Sequence, residues 1–178
     1  MSDAFGRIIA DQTLSVPAVV ARFHSLSAGQ YRGMARVTGG NLLARILMRL
    51  AGFPPPGREV GFEIRIQPQD DGQIWSRRFG RNTTTSHLSY DEVQGCAVER
   101  FGPIEIDLRL RMQKEALWVD VIGARLFGRP LPRILTPVST AREFETADGW
   151  FGFDISASLP LIGLLIRYRG RFEVPERR

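Results

Sequence analysis

The residues best suited to bind or react with a small molecule are charged side chains inside otherwise apolar runs. Arg77 lies between Trp75 and Phe79 in a run that alternates apolar and polar residues, and Glu99 and Asp154 have similar surroundings. A charge that points into an apolar interior is costly unless it is paired. Each of these groups is therefore expected to pair inside the protein, to face water, or to meet the polar end of a ligand.

In the ligand-binding interpretation, Arg77, Arg125 and Tyr168 hold the polar end of the molecule, because apolar cavities with a few fixed polar groups are typical of small-molecule sites. Glu99 and Asp154 orient these three side chains. The full set of candidate ligand-binding residues is Trp75, Arg77, Glu99, Arg125, Asp154 and Tyr168. An enzymatic alternative uses Glu99 or Asp154 as general acid or base. It needs a partner that raises the carboxyl pKa, and the sequence shows none.

Metal binding and covalent catalysis find no support in the sequence. His24 and His87 stand 63 positions apart, and Cys96 is the single cysteine, whereas a zinc site needs three or four clustered ligands. No Gly-x-Ser-x-Gly elbow is present, and the 18 glycines form no dinucleotide or phosphate-binding fingerprint. We therefore expect no metal, no cofactor and no catalytic residue, with His87 on the wet face of a strand.

The length and composition are those of one globular domain. The chain has 178 residues, of which 43% are hydrophobic and 24% charged, and we expect a single domain over residues 1–178 with a helical segment (1–30) and a β-rich body (31–174). One cysteine excludes an internal disulfide framework, and residues 1–4 do not resemble a secretory signal, which favours the cytoplasm. The longest apolar run, residues 159–166, is too short to be a transmembrane segment.

The formal net charge of +5 is carried by arginine, since Lys114 is the one lysine among 24 basic residues. Arginine binds phosphate and carboxylate through two parallel hydrogen bonds, so the bias is compatible with anionic partners. The alternative is a composition bias with solvated side chains. The arginines are spread along the chain and interleaved with Glu and Asp, unlike the basic stripe of nucleic-acid-binding proteins, and we expect no nucleic-acid partner.

Two helices are predicted near the N-terminus. Asn41 is a suitable N-cap for an amphipathic helix over residues 42–50, which the prolines at 54–56 end. A shorter helix begins near Ser15 with Pro17 in its first turn. The apolar stripe of the helix over residues 42–50 is expected to plug one mouth of the sheet or to cover its concave face.

From residue 58 to 174, apolar residues fall at every second position in short runs divided by Gly, Pro and Asp, most plainly over residues 104–112. That period belongs to strands with one dry and one wet face. We predict an α+β, mostly β protein whose long antiparallel sheet of about nine strands curls into a closed or half-closed barrel. If the strands of Tyr31 and Tyr168 lie side by side, the first and last strands close it.

Two loops combine rigid prolines with a bulky phenylalanine: residues 52–56, which include Phe53, and residues 126–132, which include Phe127. Exposed apolar loops of this kind are typical of a portal, a partner-binding patch or a rim that touches a membrane. The alternative is ordinary packing against the end of the barrel.

Several strings of the sequence resemble a bacterial family, the domain of unknown function 4166. The resemblance runs roughly from Tyr31 to Val174. The strings that carry it are Trp75 to Gly80, Val98-Glu99-Arg100-Phe101-Gly102-Pro103, Gly128 to Pro132, and Phe153-Asp154 followed by Leu164 to Gly170. The family has no established activity, so no catalytic residue is implied. The resemblance implies a domain that occurs alone or attached behind a nicotinamide-binding domain similar to saccharopine dehydrogenase, which this chain lacks. A role beside a redox partner is then an association and not a mechanism.

These observations favour a non-enzymatic binding domain for an apolar or amphipathic, lipid-like small molecule, held inside a β-barrel or under a curved sheet. The first alternative is an interaction module that docks on a nicotinamide-dependent, dehydrogenase-like partner through Phe53 and Phe127. The second is an enzyme that uses a buried carboxylate.

Overall fold

Ten antiparallel strands form a closed ring in the computed structural model, which describes residues 3–50 and 52–176. The helices are α1 (Ala4–Asp11), α2 (Ala18–His24) and α3 (Leu42–Leu50). The strands are β1 (Gly29–Gly39), β2 (Gly57–Gln69), β3 (Gly72–Phe79), β4 (Asn82–Asp91), β5 (Cys96–Phe101), β6 (Ile104–Gln113), β7 (Ala116–Leu126), β8 (Arg129–Pro130), β9 (Val138–Glu145), β10 (Phe151–Leu159) and β11 (Gly163–Phe172).

The strands follow the order β6, β5, β4, β3, β2, β1, β11, β10, β9 and β7, and the pairing of β6 with β7 closes the ring. The two-residue strand β8 pairs with β7 outside it. Strands β1 and β11 lie side by side, with Val37 opposite Tyr168. The predicted mostly β barrel is confirmed, although the predicted number of strands, about nine, is one short of the ten in the ring.

The helices lie at opposite ends of the barrel because β1 runs between them: α2 precedes β1 and α3 follows it. We call the end with α1 and α2 the closed end and the end with α3 the open end. The closed end contains residues 3–28 and the turns 70–71, 92–95, 114–115 and 146–150. The open end contains residues 40–50, 52–56, 80–81, 102–103, 127–137 and 160–162.

Aromatic side chains fill the interior toward the closed end. Phe23 of α2 is buried, with its ring centroid 4.5 Å from that of Phe151, which lies 4.7 Å from that of Phe172. Ile8 of α1 and Val20 of α2 are buried in the same core. Packed aromatic rings stabilise both by burial and by their mutual geometry, so the two N-terminal helices act as a plug held by the core.

The N-terminal segment contains two helices where the sequence predicts one. Helix α1 is capped by Asp3, whose carboxylate accepts the N–H of Gly6 at 2.6 Å. Pro17 precedes α2 with extended backbone, so it does not lie in the first turn as predicted. Helix α1 escapes prediction because its eight residues include Gly6, a weak helix former, and are stabilised by contacts with the barrel.

Helix α3 begins and ends as predicted, and the N–H of Ala44 donates to the side chain of Asn41 at 2.9 Å. Its packing differs from the prediction. Ala44 is its one buried residue, and Leu47 and Met48 are half-buried at the mouth of the barrel. The other apolar side chains of α3 are exposed, so the helix borders the mouth without closing it.

Candidate ligand-binding site

The interior of the barrel contains a cavity of about 780 Å³ that reaches the open end. Ligand pockets commonly measure about 300–1,000 Å³ and are mostly apolar. The apolar lining at the mouth includes Leu47, Met48, Phe53, Leu131 and Leu135. Deeper in the barrel the cavity ends against Phe5 and Phe23 of the N-terminal plug. The cavity therefore has a solid floor and an apolar entrance.

The cavity exists because the inward positions of neighbouring strands carry small side chains in the half of the barrel near the open end. Ser139 and Ala141 of β9 and Ala157 of the adjacent β10 all line it. On the opposite wall the lining is aromatic, with Phe62 and Phe79 in stacked contact at 5.7 Å. Large rings on one wall and small side chains on the other leave space that the chain itself does not fill.

A polar cluster lies on the wall of this otherwise apolar cavity. The Arg77 guanidinium donates to Glu99 at 2.7 Å and to the Ser86 hydroxyl at 2.7 Å, and that hydroxyl donates to Glu99 at 2.6 Å. The guanidinium also lies 5.1 Å from the centre of the Trp75 ring. A guanidinium has five N–H donors, and these bonds use two of them, so donors remain for a ligand. The pair also neutralises the charge of Glu99, which is buried.

Tyr168 of β11 lines the cavity close to this cluster. Burial raises the pKa of Tyr168, while Arg77 lowers it and Glu99 raises it. The phenol therefore keeps its proton at neutral pH and is a hydrogen-bond donor. Within residues 3–50 and 52–176 its hydroxyl forms no hydrogen bond. Arg77 and Tyr168 thus both offer N–H or O–H groups to a molecule in the cavity.

Two of the six candidate residues lie outside the cavity. Arg125 binds Glu105 at 2.9 Å and Asp107 at 2.7 Å on the outer face of the barrel. Asp154 also faces outward and accepts from Arg167 at 2.6 Å, a hydrogen bond that lowers the pKa of Asp154. The structure brings together the other four, and these line the cavity: Trp75, Arg77, Glu99 and Tyr168.

The outward position of Asp154 corrects the sequence interpretation. Its neighbours Phe153 and Ile155 point into the barrel, so the side chain between them must point out. The outward position of Arg125 has a different cause. Strand β7 has a bulge at Ile122, because Asp107 pairs with Gly123 while Leu108 pairs with Val121. One extra residue reverses the facing of every side chain that follows.

Sequence reasoning missed a buried ionic cluster at the closed end. The ring nitrogens of His24 lie 2.8 Å from an Asp3 carboxylate oxygen and 2.7 Å from a Glu143 carboxylate oxygen. Burial lowers the pKa of His24, but the two carboxylates and their hydrogen bonds outweigh this and raise the pKa to about 10. The imidazolium therefore ties α1 and α2 to β9.

The geometry of this cluster indicates a structural role. His24 is completely buried and does not line the cavity, and both of its nitrogens are engaged, so no lone pair is free for a metal ion. Among the described residues, no group of three or more His, Cys, Asp or Glu side chains is arranged to hold a metal ion. His87 points away from the interior, 3.0 Å from Asp71, but its side chain is only 13% exposed, so the predicted wet environment is wrong.

The raised pKa of His24 predicts that the free energy of unfolding falls as the pH rises from 6.5 to about 10. In this window the unfolded chain has lost the His24 proton and the folded protein still holds it. Stability therefore decreases with pH by at most about 1.4 kcal/mol per unit, and the full contribution is present below the unfolded pKa. Urea unfolding at about pH 7 and about pH 9 measures the effect.

The control for this prediction is the His24→Asn variant, which cannot titrate. Other groups, such as the Cys96 thiol, whose pKa is raised by burial, contribute equally to the pH dependence of both proteins. The difference between wild type and variant therefore isolates His24. An equal change of stability with pH in both proteins would contradict the assignment of a protonated His24.

No helix in the two described ranges is long and apolar enough to cross a membrane.

Comparison with known proteins identifies the family. A family described as "Domain of unknown function (DUF4166)" matches residues 16–172. The "Uncharacterized protein YndH" of Bacillus subtilis (strain 168) is 25% identical over an alignment 206 positions long, which covers 99% of this chain and 99% of that protein. Because the family match runs from the segment before α2 to the end of β11, and so includes the whole ring of strands, the chain belongs to the DUF4166 family.

Proposed function

We propose that the barrel is a non-enzymatic binding domain for one amphipathic, lipid-like small molecule. The observation that carries this proposal is the cavity of about 780 Å³, apolar in most of its lining and interrupted by polar groups that include Arg77, Glu99, Glu143 and Tyr168. Transfer of an apolar molecule from water into such a space is favourable. The polar groups then fix the orientation of the molecule.

The hydrogen-bonding state of the cluster defines the polar end of the ligand. The carboxylate of Glu99 is occupied by Arg77 and Ser86, whereas Arg77 and Tyr168 retain donors that face the cavity. The ligand must therefore present a hydrogen-bond acceptor, such as a carboxylate or carbonyl oxygen. A single-chain fatty acid or an oxygenated isoprenoid has this chemistry.

Displacement of a fluorescent fatty acid tests the proposal. The wild-type protein is expected to bind the probe saturably, and Tyr168→Phe is expected to weaken the binding by about threefold to tenfold, since one hydrogen bond contributes about 1 kcal/mol. The variant removes a single hydroxyl and barely changes the volume. The matched control is Tyr90→Phe, at a tyrosine that stacks under Arg7 and does not line the cavity.

Two results would overturn the proposal. The first is the absence of any saturable, displaceable binding to the wild-type protein. The second is an equal loss of affinity in the Tyr168→Phe and Tyr90→Phe proteins, which would show that the cluster does not contact the probe.

We also propose that the protein acts in the cytoplasm. A buried free thiol at Cys96 is compatible with a reducing compartment. Docking on a dehydrogenase-like partner stays a prediction. The two phenylalanines predicted to mediate this docking lie in different environments, because Phe53 lines the cavity while Phe127 is exposed. The enzymatic alternative stays a prediction as well, with Glu99 already engaged by Arg77 and Ser86.

A further inference from the structure

Large apolar side chains are exposed mainly around the open end. Among the described residues, eleven of the fifteen exposed large hydrophobic side chains lie there, on α3, on the connection from β7 to β9, on the turn from β10 to β11 and at adjoining strand ends. They are Leu42, Leu43, Ile46, Leu50, Ile104, Leu126, Phe127, Ile134, Leu135, Val138 and Leu161. We call this set the apolar rim. A concentration of exposed apolar side chains at one end of a domain is typical of an interaction site.

The orientation of α3 reinforces this observation. A helix at the surface of a water-soluble domain normally turns its apolar stripe toward the core. Helix α3 buries Ala44 and leaves Leu42 and Leu50 exposed at 74% and 80%. Arg45 and Arg49 lie on the same short helix and are also exposed. Leucines and arginines together on one exposed helix are typical of helices that lie in a membrane interface.

Charge at the open end has a single sign. The segments that form this end contain no Asp or Glu in the sequence. They contain five arginines, all exposed, which we call the rim arginines: Arg45, Arg49, Arg81, Arg129 and Arg133. Each of the four turns at the closed end, in contrast, carries at least one acidic residue. The barrel therefore presents a positive, apolar end and an acidic opposite end.

The rim arginines also lack ion-pair partners among the described residues. Within residues 3–50 and 52–176 none of the five forms an ion pair, whereas most arginines on the strands of the ring, such as Arg78, Arg125 and Arg167, bind carboxylates. An outer groove beside α3 adds Arg36 and Arg58 to this basic region. Guanidinium groups without carboxylate partners are free to bind phosphate oxygens in two-pronged geometry.

We propose that the open end docks on the surface of an anionic lipid bilayer. The apolar rim enters the boundary between headgroups and acyl chains, and the rim arginines bind the phosphates above it. A bilayer fits better than a protein partner because the exposed side chains come from separate segments around an aperture and form no single groove. The docking surface does not depend on an occupied cavity. Exchange of a ligand between bilayer and cavity rests on the proposed function.

Sedimentation with lipid vesicles tests the proposal. The wild-type protein is expected to bind vesicles of phosphatidylcholine mixed with phosphatidylglycerol, to bind phosphatidylcholine alone at least about tenfold more weakly, and to dissociate as salt screens the charges. Arg45→Glu combined with Arg133→Glu is expected to reduce binding to the anionic vesicles by about tenfold or more, and so is Leu50→Asp combined with Phe127→Asp. All four side chains are exposed, so these variants should fold.

The closed end supplies the matched controls. Lys114→Glu changes an exposed charge there, and Val93→Asp places a charge at a side chain that is 96% exposed. Both variants are expected to bind the vesicles like wild type. Failure of the wild-type protein to bind anionic vesicles would overturn the proposal, and so would equal losses at both ends of the barrel. Self-association that Phe127→Asp abolishes would assign the surface to a second copy of the chain instead.

One further variant separates this proposal from the proposed function. Filling the cavity with Ala141→Phe and Ala157→Phe changes two interior positions and leaves the apolar rim intact. Vesicle binding by that protein is expected to equal wild type even though its fatty-acid binding is weaker by about tenfold or more. Loss of vesicle binding in it would show that docking requires a bound molecule, which contradicts an independent surface.

Discussion

Replacement of His24 with leucine is expected to lower the free energy of unfolding by about 3–5 kcal/mol. His24 lies between the carboxylates of Asp3 and Glu143 at 2.8 Å and 2.7 Å, and its side chain is completely buried. Leucine fills similar space but provides no positive charge, so two negative groups are left in a poorly solvated site. Urea unfolding at about pH 7 measures the difference, because stability falls linearly with denaturant concentration.

The control for this variant is His87→Leu on the outer face of β4. His87 lies 3.0 Å from Asp71, whose side chain is 74% exposed, and a pair with an exposed partner contributes about 1 kcal/mol or less. A loss below about 1 kcal/mol for His24→Leu would contradict the ionic cluster, since an uncompensated buried charge costs more than that. Conversion of Glu143 to glutamine in the His24→Leu background removes one of the two charges and is expected to restore part of the stability.

The second large effect concerns the cavity. Ala141→Phe combined with Ala157→Phe is expected to weaken fatty-acid binding by about tenfold or more. Both alanines line the cavity on neighbouring strands, Ala157 opposite Ser139 and Ala141 opposite Ile155. Two added rings occupy space that a ligand needs. Because the phenylalanine rings enter an existing space, they should destabilise the protein less than the same rings would in a well-packed core.

A matched pair on the outer face serves as the control. Thr140 and Ser156 are direct cross-strand partners on β9 and β10, with their hydroxyls 3.0 Å apart. Thr140→Phe combined with Ser156→Phe adds the same two rings outside the barrel and is expected to leave fatty-acid binding unchanged. Undiminished binding in the cavity-filled protein would place the ligand elsewhere. Displacement of the fluorescent probe provides the measurement for both proteins.

Much of the fold follows from the sequence because side-chain alternation has a strict period of two. Strand β6 illustrates this: Leu108 and Leu110 are buried inside, while Arg109 between them is exposed. The same rule identified Arg77 and Glu99 as inward groups, and both line the cavity. Alternation cannot give the size of the cavity, because that depends on which small and large side chains face each other across the ring.

The failures have definite physical causes. Asp154 was placed inside because its sequence neighbours are aromatic, although the neighbours of an inward residue point outward. Arg125 lies beyond the bulge at Ile122, and a bulge of one residue leaves no clear sequence signal. The His24 cluster joins residues separated by 21 and 119 positions, so no local pattern reveals it. Its one sequence signal is Asp3, a good N-cap before α1.

The central claim is that this DUF4166 barrel is hollow and holds one amphipathic molecule. Native mass spectrometry of the full chain after incubation with a single-chain fatty acid tests it most directly. We expect a complex of one fatty acid per chain in the wild-type protein, and a much smaller fraction of that complex in the Ala141→Phe, Ala157→Phe variant. A wild-type spectrum that contains the unliganded chain alone, or equal binding by both proteins, would contradict the claim.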